Sequence, residues 1–380
     1  MKLIYCIAET YNPGGMERVL LNKLRWWVQR GGHELLVVTT DQSGRPPFYA
    51  FPPEVRMVDL GIGYAADNAR PPLVKILSYF RKRRLHRRRL TELLLREKAD
   101  IVVSLYPSES SFIPRIRDGS KKVLELHYCK FFRLQYGRRG LLGLADRFRT
   151  WQDERIVRRF DRFVVLTRQD AGFWGALPNL SVIPNAAPAV PAAEHRGGTR
   201  RVIAVGRLDY QKGFDRLIDA WALLPEALRR TWHLDIYGQG EWQDALQEQI
   251  DRLDLTECVQ LHPPTQQIFE AYAASDFLVM SSHYEGFPMV MLEAMASGLP
   301  VVSFDFLCGP RDIIRPGENG LLVPEGDIAA LADAMQRLMT NTDQLPRLSE
   351  AARKSVETYA ETAVMKQWEQ LFNAIARQTC

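Results

Sequence analysis

The sequence predicts an α/β protein of two doubly wound domains in series. Three observations predict it. Short apolar, β-branched runs alternate with helix-period segments from end to end; one stretch near the middle, rich in proline, alanine and glycine, breaks the alternation; and 380 residues suit two domains of roughly 100–200 residues, each able to bury its own core. With 46% hydrophobic and 25% charged residues the composition is that of an ordinary globular protein, which excludes disordered and collagen-like classes. The length excludes a single small binding module.

In the first half, residues 2–9 (KLIYCIAE), 33–40 (HELLVVTT), 55–61 (VRMVDLG), 99–106 (ADIVVSLY), 121–127 (KKVLELH), 162–168 (RFVVLTR) and 181–186 (SVIPNA) read as buried strands. Between the first two lies an amphipathic helix, MERVLLNKLRWWVQRGG, with a glycine stop after Arg30. Residues 186–200 lack any apolar period and read as a linker. The alternation then restarts, with strands at 201–208, 233–238, 258–262, 276–282, 299–304 and 320–324, and helices at 214–224, 241–253, 267–275 and 288–298. The expected domains are 1–190 and 191–360, with a helical stretch 361–380 packing back on the first. Such domains place a cleft at the carboxyl ends of both sheets.

The five cysteines, Cys6, Cys129, Cys258, Cys308 and Cys380, are odd in number and scattered, without a C-x-x-C pair, so neither a disulfide framework nor a zinc site is readable. The start, MKLIYCIAET, is interrupted by Glu9 too early for a secretory signal, and no segment approaches the ~18 apolar residues of a membrane span. A cytoplasmic address is expected. Residues 1–190 carry 33 Lys and Arg against 18 Asp and Glu, whereas the rest carry 17 against 27, so the net charge of +5 hides a basic first half facing an anionic partner.

Three segments carry chemistry. Tyr11-Asn12-Pro13-Gly14-Gly15-Met16-Glu17-Arg18 follows the first strand and opens the first helix; its glycines let a ligand approach the backbone, where helix N–H groups meet an anion, or they form a plain connecting turn. Val205-Gly206-Arg207-Leu208-Asp209-Tyr210-Gln211-Lys212-Gly213 sets two cations in the loop before a helix; surface cations are common at helix starts, although the helix dipole disfavours them there unless an anion such as a diphosphate is bound. In the third, Glu285 lies in a loop, Pro288 in the first turn of the following helix, and Glu293 inside that helix among apolar neighbours, where a carboxylate needs partners such as a polyol ligand; taken alone, the two equally read as a capping carboxylate and a solvated helix residue.

Together and in this order the segments resemble the retaining glycosyltransferase family four, through the G-R-L-x-x-x-K-G loop at 206–213 and the E-x7-E spacing of Glu285 and Glu293. The resemblance covers nearly the whole chain and is densest from Arg201 to Pro324. It implies the GT-B fold, two Rossmann-like domains facing a central cleft, with acceptor and membrane on the first domain and a nucleotide-diphosphate sugar on the second. It implies catalytic roles for Arg207, Lys212, Glu285 and His127, and donor contacts from Gly15, Gly206, Arg207, Lys212, Glu285, Gly286, Phe287 and Glu293. Arg207 and Lys212 hold the diphosphate, Glu285 and the Gly286 and Phe287 backbone hold sugar hydroxyls, Glu293 holds the ribose, and His127 faces the donor sugar. The sequence departs from the family at Asn185-Ala186, where Asn-Gly is frequent, and reads SFDFLCGPRDII at 303–314, similar to relatives acting on UDP-hexoses and UDP-N-acetylhexosamines.

Fixed cations and helix amino termini stabilise a leaving diphosphate without a metal, and Asp305-Phe306-Leu307 offers one carboxylate rather than a D-x-D pair, so metal-independent transfer with retention and no cofactor is expected. The run Arg81-Lys82-Arg83-Arg84-Leu85-His86-Arg87-Arg88-Arg89 and the aromatic, basic stretch 131–139 predict peripheral contact with the inner face of an anionic membrane and a lipid-linked glycan acceptor for a surface polysaccharide, lipopolysaccharide or capsule. Two other readings are an epimerase of UDP-sugars on the same fold and a non-catalytic nucleic-acid-binding protein; the acidic second half and the phosphate loop speak against nucleic acid. The donor sugar, the acceptor hydroxyl and the oligomeric state are not legible in the sequence.

Overall fold

The computed structural model describes residues 1–12, 14–67, 71–105, 108–136, 138, 140–190 and 197–377. Pro13, Tyr106, Gly137, Arg139, linker residues 191–196 and residues 378–380 with Cys380 lie outside them. The chain divides into two compact units, one of Met1–Leu166, Ala171–Ile183 and Met365–Cys380, the other of Thr167–Asp170 and Pro184–Val364.

The first unit carries β1 (Lys2–Cys6), α1 (Gly15–Arg30), β2 (Glu34–Thr39), β3 (Val55–Asp59), α2 (Pro72–Glu97), β4 (Ile101–Ser104), β5 (Lys121–Leu126), α3 (Gly140–Val157), β6 (Arg162–Val165) and β7 (Leu180–Val182), while α4 (Arg168–Trp174) begins in the second unit and ends in the first. Its parallel sheet has the order β3-β2-β1-β4-β5-β6-β7. Sheets covered on both faces need strands apolar throughout, and β1, β2, β4 and β5 are buried along almost their whole length, whereas the edge strand β3 is largely exposed. Helix α1 presents Leu20, Leu24 and Trp27 inward at helical spacing and stops at Gly31, whose φ of 71° with ψ of 171° is a combination open essentially to glycine alone. Trp27 is fully buried, donates to the Tyr5 hydroxyl at 2.9 Å and stacks on Phe372 at 5.6 Å.

The second unit carries β8 (Arg201–Val205), α5 (Phe214–Ala222), α6 (Glu226–Arg229), β9 (His233–Tyr237), α7 (Gln243–Arg252), β10 (Val259–His262), α8 (Ile268–Ala273), β11 (Phe277–Met280), α9 (Met289–Ala296), β12 (Val301–Phe304), α10 (Pro310–Ile313), β13 (Gly320–Val323), α11 (Ile328–Thr340) and α12 (Leu345–Val356). The sheet order is β10-β9-β8-β11-β12-β13, all parallel. The last helix, α13 (Glu361–Ala376), supplies Trp368 and Phe372 to the core of the first unit. Pro288 stands at the N-cap of α9, one place before the first turn where the sequence reading sets it.

Both sheets reverse direction of growth once, between β1 and β4 in the first and between β8 and β11 in the second. At such a point the loops leaving two adjacent strands diverge to opposite faces, and the opening between them is where doubly wound folds bind ligands.

Candidate active site

In the second unit the loops after β8 and β11 meet because those strands pair, Phe277 opposite Val202 and Leu278 opposite Ile203. The first loop brings Gly206, Arg207, Gln211 and Lys212; the second brings Ser282 and Glu285. Lys212 Nζ donates to Glu285 Oε1 at 2.7 Å, Ser282 Oγ donates to the same oxygen at 2.9 Å, and Gln211 Nε2 donates to Oε2 at 3.2 Å. The carboxylate is thus buried and partnered on both oxygens. Gly206 matters sterically, since a Cβ there would come within 2.8–3.0 Å of Cγ, Cδ and Cε of Lys212, whose stem lies across it. Gly213 holds φ at 60° and any Cβ would collide with the Ser281 carbonyl oxygen, so the turn that aims Lys212 requires glycine.

Arg207 is 70% exposed at its side chain; it donates to Gln211 Oε1 at 3.0 Å and lies 3.2 Å from Asp209 Oδ2. The cations at this helix start therefore have carboxylates of the protein as counter-ions. Gln211 links Arg207 to Glu285, and neither it nor Ser282 is singled out by the sequence motif; Gln211 stands directly before the motif lysine, the one signal that marks it. Glu293, buried in α9, accepts from the Tyr272 hydroxyl at 3.3 Å, so protein as well as ligand partners this carboxylate. Among the described residues, the amides of Gly286 and Phe287 donate to no protein acceptor, and Phe287 is buried beside Tyr359. Asp305 is gripped by Arg311 Nε at 2.8 and 2.6 Å.

In the first unit, Gly15 is the first residue of α1 and a Cβ on it would meet nothing within 4 Å. Gly14 before it leaves room for Glu17, whose carboxylate folds back over the helix start. Burial pushes the Glu17 carboxyl up, and Glu9 adds to this, while its own amide and His127 oppose it. His127, one residue past β5 and 9% exposed, lies with Nε2 3.1 Å from Glu125 Oε1, and Oε1 is paired in turn with Lys23 of α1. Burial disfavours the Glu125 carboxylate, yet the charges of Lys23 and His127 outweigh it and hold the carboxyl at about 2. Burial likewise pulls Lys23 down against the opposing pull of Glu125.

The basic run of α2 divides in two. Lys82 reaches Asp67 at 2.6 Å, Arg83 the Ser111 hydroxyl at 2.9 Å and Arg89 the Gly61 carbonyl at 3.1 Å, whereas Arg81, Arg84, Arg87 and Arg88 are exposed beside the exposed Leu77 and Phe80. Helix α3 exposes Leu144, Phe148 and Trp151 along one stripe, with the Arg155 guanidinium 3.8 Å from the Trp151 ring. Among the described residues no helix is long and apolar enough to cross a membrane.

Residues 13–189 match the family described as Glycosyltransferase Family 4, and residues 190–355 match Glycosyl transferases group 1. The lipopolysaccharide core biosynthesis glycosyltransferase LpsE of Rhizobium meliloti is 30% identical over 267 residues, 69% of this chain and 72% of that one. An exopolysaccharide phosphotransferase of Streptomyces coelicolor is 37% identical over 224 residues; the match takes in 57% of this chain and only 23% of that larger protein. A solved Staphylococcus aureus TarM variant in complex with fondaparinux, alpha-GlcNAc-glycerol and UDP superposes with a TM-score of 0.76 at 16% identity, over 98% of this chain and 99% of the other, a likeness of fold.

Proposed function

The chain belongs to glycosyltransferase family four, retaining enzymes of the GT-B fold, and from that premise we propose that it moves a hexose or N-acetylhexosamine from a UDP-sugar to a lipid-linked acceptor of a surface polysaccharide. The observation that carries this reading is the cluster of Arg207, Gln211, Lys212 and Glu285, pre-assembled at the strand reversal of the second unit. On loading, the donor diphosphate replaces Glu285 as the partner of Lys212 and draws in the exposed Arg207. Glu285, still held by Ser282 and Gln211, then turns its freed acceptor capacity to hydroxyls of the sugar, and the amides of Gly286 and Phe287 donate to them. Glu293 takes the ribose hydroxyls, and Gly15 in the first unit leaves the start of α1 open to the donor phosphates.

In the transfer the bond from the anomeric carbon to the diphosphate oxygen breaks while the acceptor oxygen bonds to that carbon on the same face. The departing phosphate oxygen takes the acceptor's proton. Negative charge gathers on the diphosphate as the bond breaks, and Lys212 and Arg207 stabilise that state more than the ground state. No step in this reading requires a metal. The UDP assignment is supported by the segment 303–314 and by UDP in the S. aureus TarM complex; the acceptor class is supported by the lipopolysaccharide role in the name of LpsE.

Mass-resolved transfer from UDP-, GDP- and ADP-sugars to lipid-diphosphate acceptors, with chelator present, tests the reading. A product from a UDP-sugar, absent with Glu285→Ala and Arg207→Ala, is expected; an epimerised donor without acceptor would favour the epimerase instead. Gly15→Ala is expected to keep or raise the melting temperature, since alanine favours a helix over glycine by up to about 1 kcal/mol, while raising the KM for the donor several-fold. An unchanged KM would remove Gly15 from the donor site.

We place the protein on the cytoplasmic face of an anionic membrane, through the exposed cations of α2 and the apolar stripe of α3. Each cation near an anionic leaflet adds about 1 kcal/mol, so Arg84→Glu/Arg87→Glu should weaken binding to phosphatidylglycerol vesicles at least tenfold. Phe148→Ser/Trp151→Ser should lower it at any salt concentration. Indifference of the wild type to both anionic and neutral vesicles would sink the membrane placement.

A further inference from the structure

The inward stripe of α1 is apolar at Leu20, Leu24 and Trp27, yet Lys23 stands among them at 4% exposure and points to Glu125, fully buried on β5. The Lys23 ammonium is roofed by the Trp368 ring, 3.7 Å to its centroid. A buried ion pair gains little net stability over apolar residues of similar volume, because desolvating both charges offsets their attraction. Glu125 Oε1 faces two groups, Lys23 Nζ and His127 Nε2, while Oε2 has no hydrogen-bond partner. His127 Nε2 is 3.1 Å away but lies off the line of an aligned N–H···O bond, as acid–base pairs commonly do before substrate tightens them.

We propose that Lys23 and Glu125 are positioning residues for His127: the lysine keeps the carboxylate ionised, the carboxylate accepts from an Nε2–H of the imidazole, and Nδ1 is thereby the nitrogen presented to the donor sugar. The charged groups around the imidazole are Glu125 and Lys23 together with Glu17 of α1. The inference rests on the reading of His127 as a donor-sugar contact. It adds that the contact is made by one tautomer, set from behind by a pair that touches no substrate.

Two measurements on the full chain test it. In the first, the ring nitrogen shifts of His127, read by NMR with labelled histidine and assigned through His127→Gln, report which nitrogen carries the proton. Nε2 is expected to carry it in the wild type, and Glu125→Leu should move both ring shifts toward a mixture of the two tautomers. In the second, Lys23→Met/Glu125→Leu replaces the pair with apolar groups that strand no charge. It is expected to melt at or above the wild-type temperature, to keep the donor KM within twofold and to lose kcat about tenfold to a hundredfold through misplacement of the ring. Added to His127→Ala, the same double change should cost nothing further. A kcat near wild type in the apolar variant, or losses that multiply in the His127→Ala background, would overturn the positioning role. If the wild type transfers from no donor while Glu125→Leu still moves the His127 ring shifts, the transferase reading falls and the coupling stands; unmoved shifts overturn the coupling itself.

Discussion

Lys212→Met is expected to lower kcat by about 10²–10³, the usual effect of removing one group that stabilises charge developing in a transition state. The same change strands Glu285, whose partner at 2.7 Å is lost in a site where the two side chains are 13% and 9% exposed. Breaking a buried pair costs about 3–5 kcal/mol, and because Ser282 and Gln211 still donate to the carboxylate the lower end applies here. The two effects separate in a double variant. Lys212→Met/Glu285→Gln leaves a neutral amide that needs no cation, so stability should return while kcat remains low. Single-turnover rates and denaturant midpoints for the three proteins decide the matter. A single variant within threefold of the wild-type rate would show that Lys212 acts on the fold and not on the leaving group.

Trp27→Ala should destabilise the first unit by about 3–5 kcal/mol, the cost of emptying a large aromatic site in a close-packed interior. Trp27 is fully buried, stacks on Phe372 with an interplanar angle of 21°, and satisfies the Tyr5 hydroxyl, which is 1% exposed and would be left without that donor. The contact fastens α13 (Glu361–Ala376) to a unit whose last strand ends at Val182. Urea unfolding followed by circular dichroism should resolve into two transitions in the variant, with the first unit melting earlier. Trp27→Phe, keeping the stack, should retain most of the stability. A shift below about 1 kcal/mol would make α13 peripheral to the core rather than part of it.

Strands were the most legible level. A strand buried on both faces is apolar at every position, so KLIYC, ELLVVT, IVVS and FLVM announce themselves without reference to neighbours. Helix α3 shows where that logic fails. Leu144, Phe148 and Trp151 have the spacing of a core-facing stripe and are nevertheless exposed, because periodicity states that residues share a face and not what covers it. The basic run of α2 was legible as charge, but its division into cations spent on Asp67, Ser111 and Gly61 and cations left outward depends on segments up to 28 residues away.

What the sequence determined by itself was therefore chemistry and local form: apolar runs that must be strands, glycines at turns, the G-R-L-x-x-x-K-G loop and the glutamates eight positions apart. What the tertiary structure alone decided was pairing. Lys212 and Glu285 are 73 residues apart, Gln211 and Glu285 are 74, and Lys23 and Glu125 are 102. The first two pairs meet because β8 and β11 are neighbours where the sheet reverses, and the third because Lys23 of α1 reaches Glu125 on β5. A local pattern fixes the conformation of a segment through sterics and solvation within that segment; which distant carboxylate stands opposite a lysine is settled by the order in which strands join a sheet, and that order is a property of the whole chain.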